Sequence, residues 1–453
     1  MPSEPVVIDL GALGPTGSDP DEPWFGRDSA RRPFRDVVRR LLVAVVAAGT
    51  LATATAAAPP RRALVPVFAV EVGQSGDGIL DGDALHVLTS LPGRAELTSY
   101  HMSDGAVRWR ASVEPSVGGG GAGLALYGDV LVASVSDGLQ RQDEPVGRST
   151  AYDARSGAML WQLGGWVVAR AAGGRLLVSR ETRESVDGTR LSYEFEAIEP
   201  RSRVPAWTIR LPAGAASYVV YDWFRASGDG LTRMVAVGDA GRLRSYDLAT
   251  GSLLADRQLP HWAVETQVDV VGDSVVVSTP DGFLSDVRAY GVDDMVLRWE
   301  AQGRREMGLM GCGRWICLPT AAGVRAIHPV TGERMWERRD LAAAFPADPA
   351  WPAGTLIAVR QDGTGNELAD ADTGRTVAEL GAWSPVAWGE GPPLLVRAPN
   401  FTGTPGSWLA RFRPDLGSAE IVSALPDVTF CTASNHYLAC RGAGKMWIWR
   451  LQV

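Results

Sequence analysis

The chain has 453 residues, and its 44 basic against 52 acidic side chains give a formal net charge of −8. That balance leaves no cationic field to release counterions from a nucleic acid or to bind an anionic lipid surface, so both partner classes are excluded on charge. An apolar share of 45% is that of a globular chain, and 52 Gly, 29 Pro and 16 Trp fit a turn-rich all-β body.

Residues 1–40 read as a disordered cytoplasmic tail. The tail is acidic at first (Asp19, Asp21, Glu22) and then basic (Arg27, Arg31, Arg32, Arg35, Arg39, Arg40), with too few apolar side chains to build a core. Residues 41–58 carry no charge, a run about long enough to cross a bilayer core. They read as one transmembrane helix, an uncleaved signal anchor. A signal peptide cleaved at Ala52-Thr53-Ala54 or Ala54-Thr55-Ala56 is the competing reading, and a buried helix the third. The Arg cluster before the span, against only Arg61 and Arg62 after it, places the N-terminus inside and residues 59–453 outside the cell membrane. No Cys near the span offers a lipid attachment point, and a cytoplasmic tail this short cannot hold a kinase domain.

From residue 100 onward one phrase recurs: an apolar residue, a polar linker, a small residue plus Gly, then a strand often closed by Trp. It reads Tyr100-His101-Met102-Ser103-Asp104-Gly105 to Trp109, and Tyr152-Asp153-Ala154-Arg155-Ser156-Gly157 to Trp161. It returns at Tyr246-Asp247-Leu248-Ala249-Thr250-Gly251, at Ile327-His328-Pro329-Val330-Thr331-Gly332 to Trp336, and at Ala371-Asp372-Thr373-Gly374. A worn copy stands at Phe412-Arg413-Pro414-Asp415-Leu416-Gly417. Two more have lost the Gly, Arg201-Ser202-Arg203-Val204-Pro205-Ala206-Trp207 and Val292-Asp293-Asp294-Met295-Val296-Leu297-Arg298-Trp299. An Asp or Ser followed by Thr-Gly or Ser-Gly is turn chemistry: the side-chain oxygen accepts from nearby backbone N–H groups, and Gly supplies positive φ. The spacing of roughly 38 to 52 residues is that of four-stranded propeller blades.

The repeat resembles the quinoprotein-dehydrogenase-like, or PQQ-like, β-propeller repeat, over about residues 63 to 453. The resemblance implies an all-β fold, a β-propeller of eight or nine four-stranded blades; about eight is the favoured count, with one apparent repeat as an embellishment. Strands in residues 427–453 are expected to close the ring by pairing with residues 63–71. The opening Val6-Val7-Ile8-Asp9-Leu10-Gly11, the basic tail and the single span together resemble a group of actinobacterial envelope proteins with PQQ-like ectodomains. The near-absence of Lys, with Lys445 alone, agrees with that origin.

The four cysteines form two close pairs, Cys312 with Cys317 and Cys431 with Cys440, each bracketing one hairpin. Local disulfides are the favoured reading and imply an exported domain. Free thiols and a zinc site remain alternatives, although neither pair has Cys-x-x-Cys spacing.

Chemistry-bearing motifs are thin. Enzymes of the resembled family hold their quinone with an adjacent Cys-Cys ring, a stacking Trp and a calcium site of Glu, Asn and Asp. This chain has no vicinal cysteines, and Trp223, Trp262 and Trp383 read as docking residues. Asn366, Asn400 and Asn435 stand outside any matching motif. His86, His101, His261, His328 and His436 are scattered, and His101 and His328 take the repeat's strand-to-turn position, where a structural role is expected. Asp77, Asp81 and Asp83 lack the ligand spacing of a calcium hand and read as turn residues, and Gly118 to Gly121 as an inter-blade linker. No catalytic, cofactor or metal residue is nominated. The expectation is a non-catalytic, membrane-tethered extracytoplasmic propeller, a protein-interaction or scaffold module for an envelope partner. The alternative is a small-ligand receptor or enzyme with its pocket in the channel.

Overall fold

The computed structural model describes residues 64–452 apart from loop segments 74–75, 92–93, 115–121, 136–146, 184–190, 212–217, 221–229, 239–240, 261–265, 282–283, 305–309, 321, 348–350, 352–353, 389–392, 398–405 and 414–415. The tail and the span expected at 41–58 lie outside the described residues, as does the Gly118–Gly121 linker. Among the described residues, no helix is long and apolar enough to cross a membrane.

The described chain forms nine antiparallel sheets. Eight are four-stranded meanders taken in chain order: blade 1 (77–113), blade 2 (122–164), blade 3 (166–210), blade 4 (218–258), blade 5 (267–304), blade 6 (310–338), blade 7 (341–381) and blade 8 (384–425). Blade 9 joins the two ends of the described chain. Phe430–Ala433, Tyr437–Gly442 and Lys445–Leu451 supply its first three strands, and Leu64–Glu71 is its fourth, in register from Leu64↔Leu451 to Glu71↔Lys445. A two-residue strand from blade 8, Ala387–Trp388, adds in parallel to Thr432–Ala433 on its inner edge.

The expected count of eight is therefore corrected to nine. Every apparent repeat is a complete blade, so none is an embellishment. The count of eight came from treating one of the eight turn-marked repeats as an embellishment, whereas all eight are blades and the closing strands make a ninth. The expected pairing of the C-terminal strands with residues 63–71 is the pairing that closes the ring.

The first strands of neighbouring blades approach one another, whereas fourth strands such as Pro205–Arg210 and Leu253–Gln258 are largely exposed. Each blade thus runs from the channel outward. Second strands such as Val130–Val135 are buried along their whole length, as expected for a strand covered on both sheet faces. The apolar core is divided into nine clusters, one at every junction. Leu97 of blade 1 meets Leu131 and Tyr152 of blade 2, and Met102 of blade 1 meets Ile448 of blade 9. No blade covers itself, so closure by residues 64–71 buries the last two open faces.

Candidate functional site: the turn face and the seam cleft

In a four-stranded meander, the strand 1–2 and strand 3–4 connections lie at one end of the blade. The strand 2–3 and inter-blade connections lie at the other. The recurrent turns, all of strand 3–4 type, therefore share one face of the ring with the strand 1–2 hairpins. This is the turn face, and the opposite one is the linker face.

The turns are built alike. Gly157, Gly251, Gly332 and Gly374 each donate a backbone N–H to the carbonyl four residues earlier, at 2.7 to 2.9 Å. Asp153 Oδ1 accepts from Ser156 N and Oγ at 3.0 and 2.9 Å, and Asp370 Oδ1 from Thr373 N and Oγ1 at 2.8 and 2.7 Å. In blade 6 His328 takes the Asp role: its Nδ1 accepts from Val330 N and Thr331 N, both at 3.2 Å. The two repeats that lost their Gly keep the backbone. Arg203 and Met295 stand at φ 60° and 51°, left-handed positions that cost a side-chain-bearing residue roughly 1–2 kcal/mol.

These turns also join blade to blade. The indole N–H of Trp109 donates to Ala154 O of blade 2 at 3.1 Å, Trp161 to Pro200 O at 2.7 Å and Trp207 to Leu248 O at 3.2 Å. Trp299 donates to Pro329 O at 2.9 Å and Trp336 to Ala371 O at 2.8 Å. Each acceptor directly follows the first residue of the next blade's turn. A Cβ on the turn glycine would strike the docked ring: 2.5 Å to Trp109 from Gly157, 2.6 Å to Trp299 from Gly332. At the seam Phe68 lies against Gly105 in place of a Trp. At the joint from blade 4 to blade 5, Arg257 substitutes. Its Nη1 donates to Met295 O at 2.7 Å, and its guanidinium lies 5.0 Å from the Tyr290 ring centre.

Ion pairs on the same face reinforce the joints. Arg201 of blade 3 reaches Asp129 and Asp153 of blade 2 at 2.5 and 2.8 Å, Arg233 pairs with Asp293 at 2.6 Å, and Arg314 with Asp372 at 2.6 Å. The Arg201 hydrogen bond, helped by those from Ser156, holds the Asp153 carboxyl down at about 2.

Both cysteine pairs are disulfides, and each ties the first strand of a blade to its second. Cys312–Cys317 braces the hairpin of blade 6, and Cys431–Cys440 that of blade 9. Both hairpins stand on the turn face. The hairpin of blade 9 carries Ser434, Asn435, His436 and Tyr437, which line a cleft of about 480 Å³ at the seam. Its other walls are Gly82 and Asp83, from the first hairpin of blade 1, with Arg450 and Leu451 from the end of the third strand of blade 9. The Arg450 guanidinium lies over the Tyr437 ring at 5.9 Å, and Asp83 faces Arg108 at 3.6 Å.

The histidines, tryptophans and asparagines singled out in the sequence do not converge. His86 is fully buried in the second strand of blade 1, between Asp81 at 3.6 Å and the Trp109 ring at 5.6 Å. Burial lowers its pKa from 6.5, against the opposing pull of Asp81. His101 opens the turn of blade 1, and only His436 lines the cleft. Asn366 of blade 7 donates to Trp383 O at 3.1 Å in the connection to blade 8, and Asn435 lines the cleft. Trp223, Trp262, His261 and Asn400 lie outside the described residues. Asp77 spends its carboxylate on the backbone, accepting from Gly78 N and Leu124 N, both at 2.8 Å. Among the described residues no three of His, Cys, Asp and Glu come together as a metal site. Sequence reasoning missed Arg450, Tyr437 and Ser434, because only ring closure brings them to the first hairpin.

No family model and no curated protein matches the sequence. Among solved structures the chain is similar to BamB from Moraxella catarrhalis, at 14% identity and a TM-score of 0.42, covering 85% of this chain and 99% of that one. It is similar to the computationally designed Ika8 protein at 10% identity and a TM-score of 0.43, with 84% and 99% covered. It is also similar to the quinohemoprotein alcohol dehydrogenase from Comamonas testosteroni at 9% identity and a TM-score of 0.40, with 86% and 77% covered.

Proposed function

We propose that the chain is a non-catalytic, membrane-tethered extracytoplasmic propeller that holds an envelope protein partner on its turn face. The observation that carries this reading is the placement of the two disulfides. Both brace strand 1–2 hairpins on one face, and one of those hairpins lines the seam cleft. A loop fixed before binding loses less entropy when a partner arrives, so rigid loops clustered on one face favour docking there. The disulfides also favour an oxidising compartment, in keeping with the anchor expected at 41–58.

The test uses the full chain in the membranes of cells that make it. A single cysteine is introduced at Arg155 on the turn face or at Gln302 near the linker-face end of the fourth strand of blade 5, and is capped with a polyethylene glycol maleimide. The chain is expected to stay in the membrane pellet at alkaline pH, to be labelled by impermeant reagent from outside, and to run as a discrete complex that the Arg155 adduct dissolves and the Gln302 adduct leaves intact. A chain recovered in the soluble fraction, or a complex indifferent to both adducts, refutes the proposal.

A further inference from the structure

We infer that the seam cleft is a recognition pocket for a carboxylate borne by an acidic segment of a protein partner, with Arg450 as the anion-binding group. The inference rests on the docking role proposed above and gives it a chemistry.

Of the arginines that join the blades, three have their charges answered by carboxylates, while Arg257 spends its donor on Met295 O at the joint itself. Arg201, Arg233 and Arg314 all pair with aspartates across a junction. In the cleft, the charge of Asp83 is likewise answered by Arg108 at 3.6 Å. Arg450 differs. Its guanidinium lies over the face of Tyr437, and among the described residues no carboxylate lies within ion-pair range of it. The uncompensated charge of the cleft is therefore positive. A guanidinium laid over an aromatic ring keeps its planar fork of donors free for a bidentate carboxylate.

The cleft is also stiff. Cys431–Cys440 closes the hairpin that carries its wall, and inside that loop Ser434 N donates to Tyr437 O at 2.8 Å. Leu451 N donates to His436 O at 2.8 Å, fixing the loop to the strand that bears Arg450. Its volume lies within the range of about 300–1,000 Å³ typical of ligand pockets. It opens on the turn face beside the first hairpin of blade 1, so a segment of a folded partner can lay a side chain into it.

The experiment titrates the full chain in detergent micelles with a rhodamine-labelled peptide, Ac-Gly-Glu-Gly-Glu-Gly-amide, followed by fluorescence anisotropy. Its Gln analogue and free glutarate serve as comparison ligands. The Glu peptide is expected to bind, more weakly as salt rises. Arg450→Gln should weaken it about tenfold, Arg450→Lys and Tyr437→Leu by less, and Arg155→Gln on a distant turn not at all. Equal binding of the Glu and Gln peptides, or no effect of Arg450→Gln in a protein whose thermal transition is unchanged, overturns the inference. Glutarate binding as tightly as the peptide also overturns it, since the ligand is then a free small carboxylate. If the membrane complex survives Arg450→Gln, the docking role stands and the cleft is not its site. If the peptide binds through Arg450 but no membrane complex exists, the cleft stands and the docking role falls.

Discussion

Replacing Gly332 with Ala tests the joint on which the ring depends. Gly332 sits at φ 73°, and a Cβ there would come to 2.6 Å of the Trp299 ring docked from blade 5. The left-handed backbone costs a residue with a Cβ roughly 1–2 kcal/mol. Pushing the indole aside adds roughly 1–3 kcal/mol of overpacking. Stretching its 2.9 Å bond to Pro329 O adds about 1 kcal/mol. The unfolded chain loses freedom on Gly→Ala, which returns about 0.5 kcal/mol. The sum is about 4 kcal/mol. For a ring of about 390 residues, at about 2.1 cal/mol/K per residue, it corresponds to a fall in Tm of about 5 °C. Gly128 supplies the control: it stands at φ 66° with nothing within 4 Å of its Cβ position. Gly128→Ala should lose only the backbone term, about 1 kcal/mol or about 1 °C. Differential scanning calorimetry of both variants decides. Equal shifts would mean that the turn glycines serve only their own turns and that the docked tryptophans do not lock the blades.

Three further outcomes follow from named groups. His86 is buried with a pKa below 6.5, so the unfolded chain binds a proton more readily than the folded one. Stability should therefore be full above pH 6.5 and fall as pH drops from 6.5 toward the lowered value, and His86→Gln should flatten that slope in urea titrations while the Asp81 and Arg108 charges beside it stay. Glu367 is fully buried between Arg338 Nη2 at 3.0 Å and Arg360 Nη1 at 3.6 Å, with Thr376 Oγ1 donating to it at 3.1 Å. Glu367→Ala removes a buried acceptor from both guanidinium groups, although Arg338 keeps Asp340 and Arg360 keeps Asp362 and Glu379; it should cost about 2 kcal/mol by denaturant unfolding, and Glu367→Gln, which keeps an acceptor for Thr376, should cost less. Reducing Cys431–Cys440 should remove about 3 kcal/mol by loop-closure entropy and Cys312–Cys317 about 2 kcal/mol, while non-reducing peptide maps should show only these two local links.

Much of the fold was legible because it is written in local chemistry. The Asp-to-Gly turns announce themselves in four or five residues, and the close cysteine pairs fall within single hairpins. What escaped is non-local or chemically disguised. Arg203 and Met295 hide left-handed turns behind side chains that disfavour them, since packing on the neighbouring blade overrides local preference. Arg257 does the work of a Trp by a donor and a ring contact that no sequence motif encodes. The cleft exists only where the two ends of the described chain meet, so no window of sequence contains it. Function was the least legible, because the repeat grammar serves blade packing and is silent on what the finished face binds.

The central claim, that the turn face is the docking face, is tested most directly by site-specific photo-crosslinking of the full chain in intact membranes. A photoreactive residue is placed at Arg155 or Tyr437 on the turn face and at Gln302 toward the linker face. The account predicts one discrete adduct, of the same mass from Arg155 and Tyr437, and none from Gln302. An adduct from Gln302 with none from Arg155 or Tyr437 would contradict it.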